Sequence, residues 1–144
     1  MDDYDPQSAE HGALVVVGSG PGIGSHVAAQ FARGGFKKVI LMSRNLDRLR
    51  VDAVVVQSAS PGVDVIIVSV DLSDTAKVRQ ALLEVDRRMG AVRLECVVYN
   101  ASRVARTDVM AMPVEDLKYD MHVSRPGFLL SALNTTDILG SRSR

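Results

Sequence analysis

The chain alternates short, unbroken apolar runs with longer stretches in which apolar residues recur every three or four positions. Ala13-Leu14-Val15-Val16-Val17 ends at a glycine and reads as a strand covered on both faces. Residues 23–33 carry Ile23, Val27 and Phe31 at helical spacing, and Gly34-Gly35 stops them. Val39-Ile40-Leu41-Met42 is a second buried strand. Asn45 is a good N-cap for a helix whose face is Leu46, Leu49, Ala53 and Val56. After the turn Ser60-Pro61-Gly62, residues 63–70 form a third strand rich in Val and Ile. Ser73 or Asp74 caps a third helix with Val78, Leu82, Val85 and Met89 on one stripe, and Gly90 ends it. Leu94 to Tyr99 is a fourth strand, 101–112 a loop, and Pro113 at N1 opens a fourth helix with Val114, Leu117 and Met121, broken by Pro126-Gly127.

Four strands alternating with four helices predict an α/β fold with a parallel sheet and right-handed crossovers. The expected architecture is a partial Rossmann fold, doubly wound, with strand order 3-2-1-4. The domain is expected over 12–133, between an acidic disordered tail at 1–11 and a polar tail at 134–144.

Composition narrows the function classes. With 144 residues, 47% hydrophobic and 24% charged, the chain has the balance of a soluble globular domain. Lys+Arg and Asp+Glu are both 17, which argues against nucleic-acid binding through a general positive field. No apolar run reaches membrane-spanning length, and the acidic N-terminus does not read as a leader, so the expected location is cytoplasmic. The single cysteine, Cys96, excludes an internal disulfide and a cysteine-based zinc cluster; in an apolar strand it reads as a small buried hydrophobe. No metal site is expected.

The stretch that carries chemistry is Gly18-Ser19-Gly20-Pro21-Gly22-Ile23-Gly24, between the first strand and the first helix. Phosphate binding needs free backbone N–H groups and close approach, which glycines permit, and a helix N-terminus adds both donors and a favourable dipole. The strand–glycine–helix context is what a dinucleotide fingerprint requires. The alternative is a tight turn without ligand. A P-loop is excluded, since no Gly-Lys-Ser/Thr follows. At the end of the second strand, about 20 residues on, NAD sites place an acid against the ribose hydroxyls. Here Ser43-Arg44 stands instead, which suits a 2′-phosphate and favours NADP(H) as cofactor. The competing reading is a solvated surface arginine, since Arg48 and Arg50 lie nearby.

These residues resemble the short-chain dehydrogenase/reductase family. Gly18, Gly22 and Gly24 meet its G-x-x-x-G-x-G pattern, with Val17 where the family has Thr. Ser43-Arg44-Asn45 resembles its NADP-preferring form, Asp71-Leu72 its adenine-side pair, and Asn100-Ala101-Ser102 its Asn-Ala-Gly motif with the glycine lost. The resemblance covers roughly 12–125. It implies cofactor contacts at Gly18, Ser19, Gly20, Gly22, Ile23, Gly24, Ser43, Arg44, Asp71, Leu72, Asn100 and Ala101, and redox chemistry on a small carbonyl or alcohol.

The family's catalytic groups are a Ser on the fifth strand and a Tyr with a Lys four positions later. Tyr4, Tyr99 and Tyr119 are followed at that spacing by Ser8, Arg103 and Val123, so no catalytic residue is assigned. His122 is a poor substitute as a proton donor, and Arg103 and Arg106 read as solvated. The chain is expected to stop where a fifth strand would begin, which leaves the fourth strand as an edge that invites self-association. Three functions compete: an NADP(H)-dependent oxidoreductase, a non-catalytic NADP(H)-binding module, and a non-functional fragment.

Overall fold

The computed structural model describes residues 11–102 and 110–125. Eight elements alternate along them: β1 (His11–Val17), α1 (Ile23–Arg33), β2 (Phe36–Ser43), α2 (Leu46–Ala59), β3 (Asp64–Ser69), α3 (Thr75–Met89), β4 (Leu94–Tyr99) and α4 (Val114–Ser124). The strands form one parallel sheet in the order β3-β2-β1-β4, as the alternation predicts. β1 starts at His11, inside the segment expected as tail. Expectations for 1–10, for Arg103 and Arg106, for Pro126-Gly127 and for 134–144 lie outside the described residues.

The sheet separates two apolar layers. Val15, Val17, Ile40, Met42, Ile66 and Val68 face α3, meeting Val78, Leu82, Val85 and Met89. Leu14, Val16, Val39 and Leu41 face the opposite way, against Ala28 and Ala32 of α1 and Leu49 and Val56 of α2. β1 and β2 are thus covered on both sides, which is why their sequences show no alternation. Leu14 pairs with Val39 and Val16 with Leu41 in β2, while Val15 pairs with Val97 in β4.

The N-caps of α2 and α3 and the end of α3 are where the sequence puts them. Asn45 Oδ1 accepts from the Arg48 amide at 3.0 Å, and Asp74 Oδ1 from the Lys77 amide at 3.1 Å. Gly90 ends α3 at φ +63°, a conformation that favours glycine.

Five expectations need correction. The buried face of α1 is Gly24, Ser25, Ala28, Ala29 and Ala32; Ile23 is 68% exposed. Small residues let α1 lie close to the backbone beneath it, so the burial stripe is offset from the bulky one. Leu46 is likewise exposed. In α4 the stripe Val114, Leu117 and Met121 is exposed and Val123 is the buried residue, with Pro113 at the N-cap rather than N1. Cys96 is only half-buried, because β4 pairs with β1 and with no other described strand; burial still pushes its thiol pKa up. No helix among the described residues is long and apolar enough to cross a membrane.

Candidate functional site

A cleft of about 520 Å³ opens at the carboxyl edge of the sheet. β1 enters it through Gly18, β2 through Ser43, the segment after β3 through Val70 and Asp71, and β4 through Asn100. The chain leaves β1 toward β2 on one side, while β4 lies on β1's other side, so a crevice opens between the diverging connections. All twelve residues singled out from the sequence line this cleft.

The bend after β1 is built in two halves. The amides of Gly18 and Ser19 both donate to the Met42 carbonyl, at 2.8 and 3.1 Å, so this half is tied to β2 and offers no free donor. The free donors that phosphate binding needs are therefore confined to the second half. The second half is closed by Ser25 N–H donating to the Gly20 carbonyl at 3.1 Å. Beyond it, the amides of Gly22, Ile23 and Gly24 meet no acceptor among the described residues. They are first-turn donors of α1, carrying the positive end of its dipole.

The glycines divide the same way. Gly18 has φ +85°, and a Cβ there would fall 2.4 Å from the Ala101 amide nitrogen. At Gly24 a Cβ would fall 2.8 Å from the Gly18 carbonyl oxygen. Both are required by packing. At Gly20 and Gly22 a Cβ would meet nothing within 4 Å, and neither has positive φ. Their missing side chains leave the cleft wall bare.

At the β2 end, Arg44 is not freely solvated. Its Nη1 donates to Tyr119 Oη of α4 at 3.0 Å, and its carbonyl accepts from Ser69 Oγ at 2.9 Å. Asp71 Oδ1 accepts from the Ser73 amide at 2.9 Å and the Ser73 hydroxyl at 2.7 Å. Those two bonds, with help from Arg44 and Lys77, hold its carboxyl below the usual range against a weaker opposing effect of burial. Leu72 is buried beside it. Asn100 Nδ2 donates to the Gly18 carbonyl at 3.3 Å. Tyr99 Oη donates to the Val123 carbonyl, which ties α4 to the end of β4, and burial raises its phenol pKa. His122 is exposed and does not line the cleft.

The sequence reading missed several lining residues, among them Arg48, Tyr119 and Val123. It also missed the buried Asp52, whose Oδ2 accepts from Ser19 Oγ at 2.8 Å. One signal was available: Asp52 interrupts the apolar stripe of α2 between Leu49 and Val56. The tyrosine contacts are non-local and left no trace in spacing.

Comparison with known proteins places this geometry. A sepiapterin reductase from Chlorobaculum tepidum is 29% identical over 128 residues, spanning 83% of this chain and 51% of the relative. This chain therefore spans about half the length of that curated relative. L-sorbose reductase from Gluconobacter frateurii, solved with NADPH and L-sorbose, superposes with a TM-score of 0.73 at 23% identity over 90% of this chain and 48% of that one. A dehydrogenase from Burkholderia cenocepacia with bound NADP gives 0.73 at 14% identity, covering 92% and 50%. The two structural likenesses speak to the fold. The KR domain family model matches residues 12–125. The chain belongs to the KR domain family, of the short-chain dehydrogenase/reductase type.

Proposed function

We propose that the cleft binds NADP(H), with the first turn of α1 against the diphosphate and Arg44 at the 2′-phosphate, and that the chain serves redox chemistry on a small carbonyl or alcohol. The observation that carries this reading is the pair Gly20 and Gly22. At Gly20 neither packing nor a left-handed backbone accounts for the absence of a side chain, and at Gly22 packing does not. A diphosphate drawn close to the unpartnered amides of Gly22, Ile23 and Gly24 does account for it. Arg44 supports a phosphate at the ribose, because a planar guanidinium bonds two phosphate oxygens where NAD sites use a carboxylate. The NADPH and NADP bound to the two structural neighbours point the same way.

Such a cofactor supplies hydride transfer when bound. The work of this chain is to hold it: Ser43, Asp71 and Leu72 on the adenosine side, Gly20 to Gly24 at the diphosphate with Gly18 and Ser19 anchoring that bend to β2, and Asn100 and Ala101 toward the other end.

A second reading, binding without turnover, is favoured by one observation. Both described tyrosines are engaged, Tyr99 with the Val123 carbonyl and Tyr119 with Arg44, and neither has a lysine four residues on. We include in the proposal self-association through β4, which has one described partner strand.

The test titrates NADP+ and NAD+ by calorimetry and follows NADPH oxidation with a panel of ketones and aldehydes. NADP+ binds about tenfold or more tightly than NAD+, and Arg44→Asp removes that preference. Equal affinity overturns the NADP assignment. Binding with no turnover on any carbonyl selects the second reading.

A further inference from the structure

Asp52 sits within α2 and is 1% exposed. A carboxylate this deep persists only where it is paired and hydrogen-bonded. Its two oxygens are used differently. Oδ2 takes the Ser19 hydroxyl at 2.8 Å, and Ser19, itself buried, belongs to the glycine bend. Oδ1 faces Arg48 Nε at 3.9 Å, and that nitrogen is buried with no hydrogen-bond partner. The Arg48 side chain is nevertheless 42% exposed and lines the same cleft as Ser43 and Arg44. With Nε buried, the exposed part of this cleft-lining side chain includes the outer end of its guanidinium.

We propose that Arg48 is a second cationic contact for the ribose phosphate, and that Asp52 is a positioning residue that holds Arg48 and the glycine bend together. One carboxylate then sets the distance between the diphosphate end of the site and the ribose-phosphate end. If Arg48 only neutralised Asp52, the pair would need neither a place in the cleft nor a link to the bend. The inference rests on the NADP(H) reading above and extends it to residues outside the glycine and Ser-Arg motifs.

The experiment titrates adenosine 2′,5′-bisphosphate and adenosine 5′-monophosphate into the full chain by calorimetry. The variants are Arg44→Gln, Arg48→Gln, Arg48→Lys and Asp52→Asn. The ratio of the two affinities isolates the 2′-phosphate. Arg48→Gln lowers the ratio about tenfold by reducing bisphosphate binding alone. Arg48→Lys keeps a cation opposite Asp52, and so keeps the fold, but loses the fork and lowers the ratio about threefold. Asp52→Asn still accepts from Ser19 but no longer holds the guanidinium. It lowers the ratio as well, and the Arg48→Gln/Asp52→Asn pair falls no further than Arg48→Gln alone.

A purely structural brace shifts the melting temperature and leaves the ratio unchanged; that result in both Arg48 variants overturns the proposal. If the wild type prefers the bisphosphate and only Arg44→Gln lowers the ratio, the NADP(H) reading stands and the role of Arg48 falls. If the wild type binds both nucleotides alike, or neither, both fall.

Discussion

Asn100, just past the end of β4, donates from Nδ2 to the carbonyl of Gly18 across 3.3 Å, while its own amide donates to the carbonyl of Val17 at 2.8 Å. The last residue of β1 and the first glycine of the bend are thus stitched to β4. This contact fixes where the bend leaves the sheet, and every group lining the cleft is placed relative to it.

The stitch leaves no room at Gly18. An alanine there combines the unfavourable φ of +85° with a Cβ 2.4 Å from the Ala101 nitrogen. Gly18→Ala is expected to destabilise by about 3 kcal/mol, from left-handed strain plus overpacking. Asn100→Ala, which removes one hydrogen bond and leaves an acceptor unpaired, costs about 1–2 kcal/mol. Urea melts check both. A Gly18→Ala chain as stable as the wild type contradicts the account of the bend.

Tyr99 makes the chain sensitive to alkali. Burial keeps its phenol neutral and raises its pKa, so the folded state holds that proton more tightly than the unfolded state does. Its contribution is intact below about pH 10, the ordinary tyrosine value, and is lost as pH rises through the folded value. Tyr99→Phe keeps the ring, forfeits about 1 kcal/mol from the bond to Val123, and flattens the alkaline limb of the stability curve. The comparison belongs in a Cys96→Ala background, because the raised thiol pKa produces a loss of the same sign beginning lower. Parallel alkaline limbs with and without the phenol would contradict this assignment.

Asp71 acts on the acid side. Its pKa is depressed, chiefly by the Ser73 amide, so its contribution is present above about pH 4, the ordinary value, and is lost as pH falls through the folded value. The wild type is more stable than Asp71→Asn near neutrality, and the gap closes in acid. Denaturant melts from neutral pH downward measure it, and a gap that stays constant with pH rules the linkage out.

Much of this architecture is legible in sequence because its causes are local. The unbroken Val-Leu-Ile runs of β1 and β2 reflect cover on both faces. Asn45, Asp74 and Gly90 mark helix ends through bonds within one turn or through a backbone angle only glycine favours. The cleft residues are legible for a related reason, since parallel strands bring the ends of β1, β2 and β4 and the segment after β3 to one edge.

What stayed hidden depends on neighbours distant in sequence. Spacing finds a stripe but not the side that faces a partner, so Ile23, Val27 and Phe31 drew attention away from the small face of α1. The exposed stripe of α4 misled in the same way. Pairings such as Ser19 with Asp52 and Arg44 with Tyr119 join residues 33 and 75 positions apart, and no periodicity encodes them.

The central claim is that the bare wall at Gly20 and Gly22 admits a dinucleotide to the free amides of α1. Gly20→Leu tests it most directly, because the new side chain meets no protein atom within 4 Å of its Cβ. Calorimetric titration of NADP+ into wild type and variant is the measurement, with melting temperature as the control. The account predicts saturable binding by the wild type and a loss of about a hundredfold or more in Gly20→Leu, with the melt unchanged. A Gly20→Leu chain that binds NADP+ as tightly as the wild type, or a wild type that does not bind it, would contradict the claim.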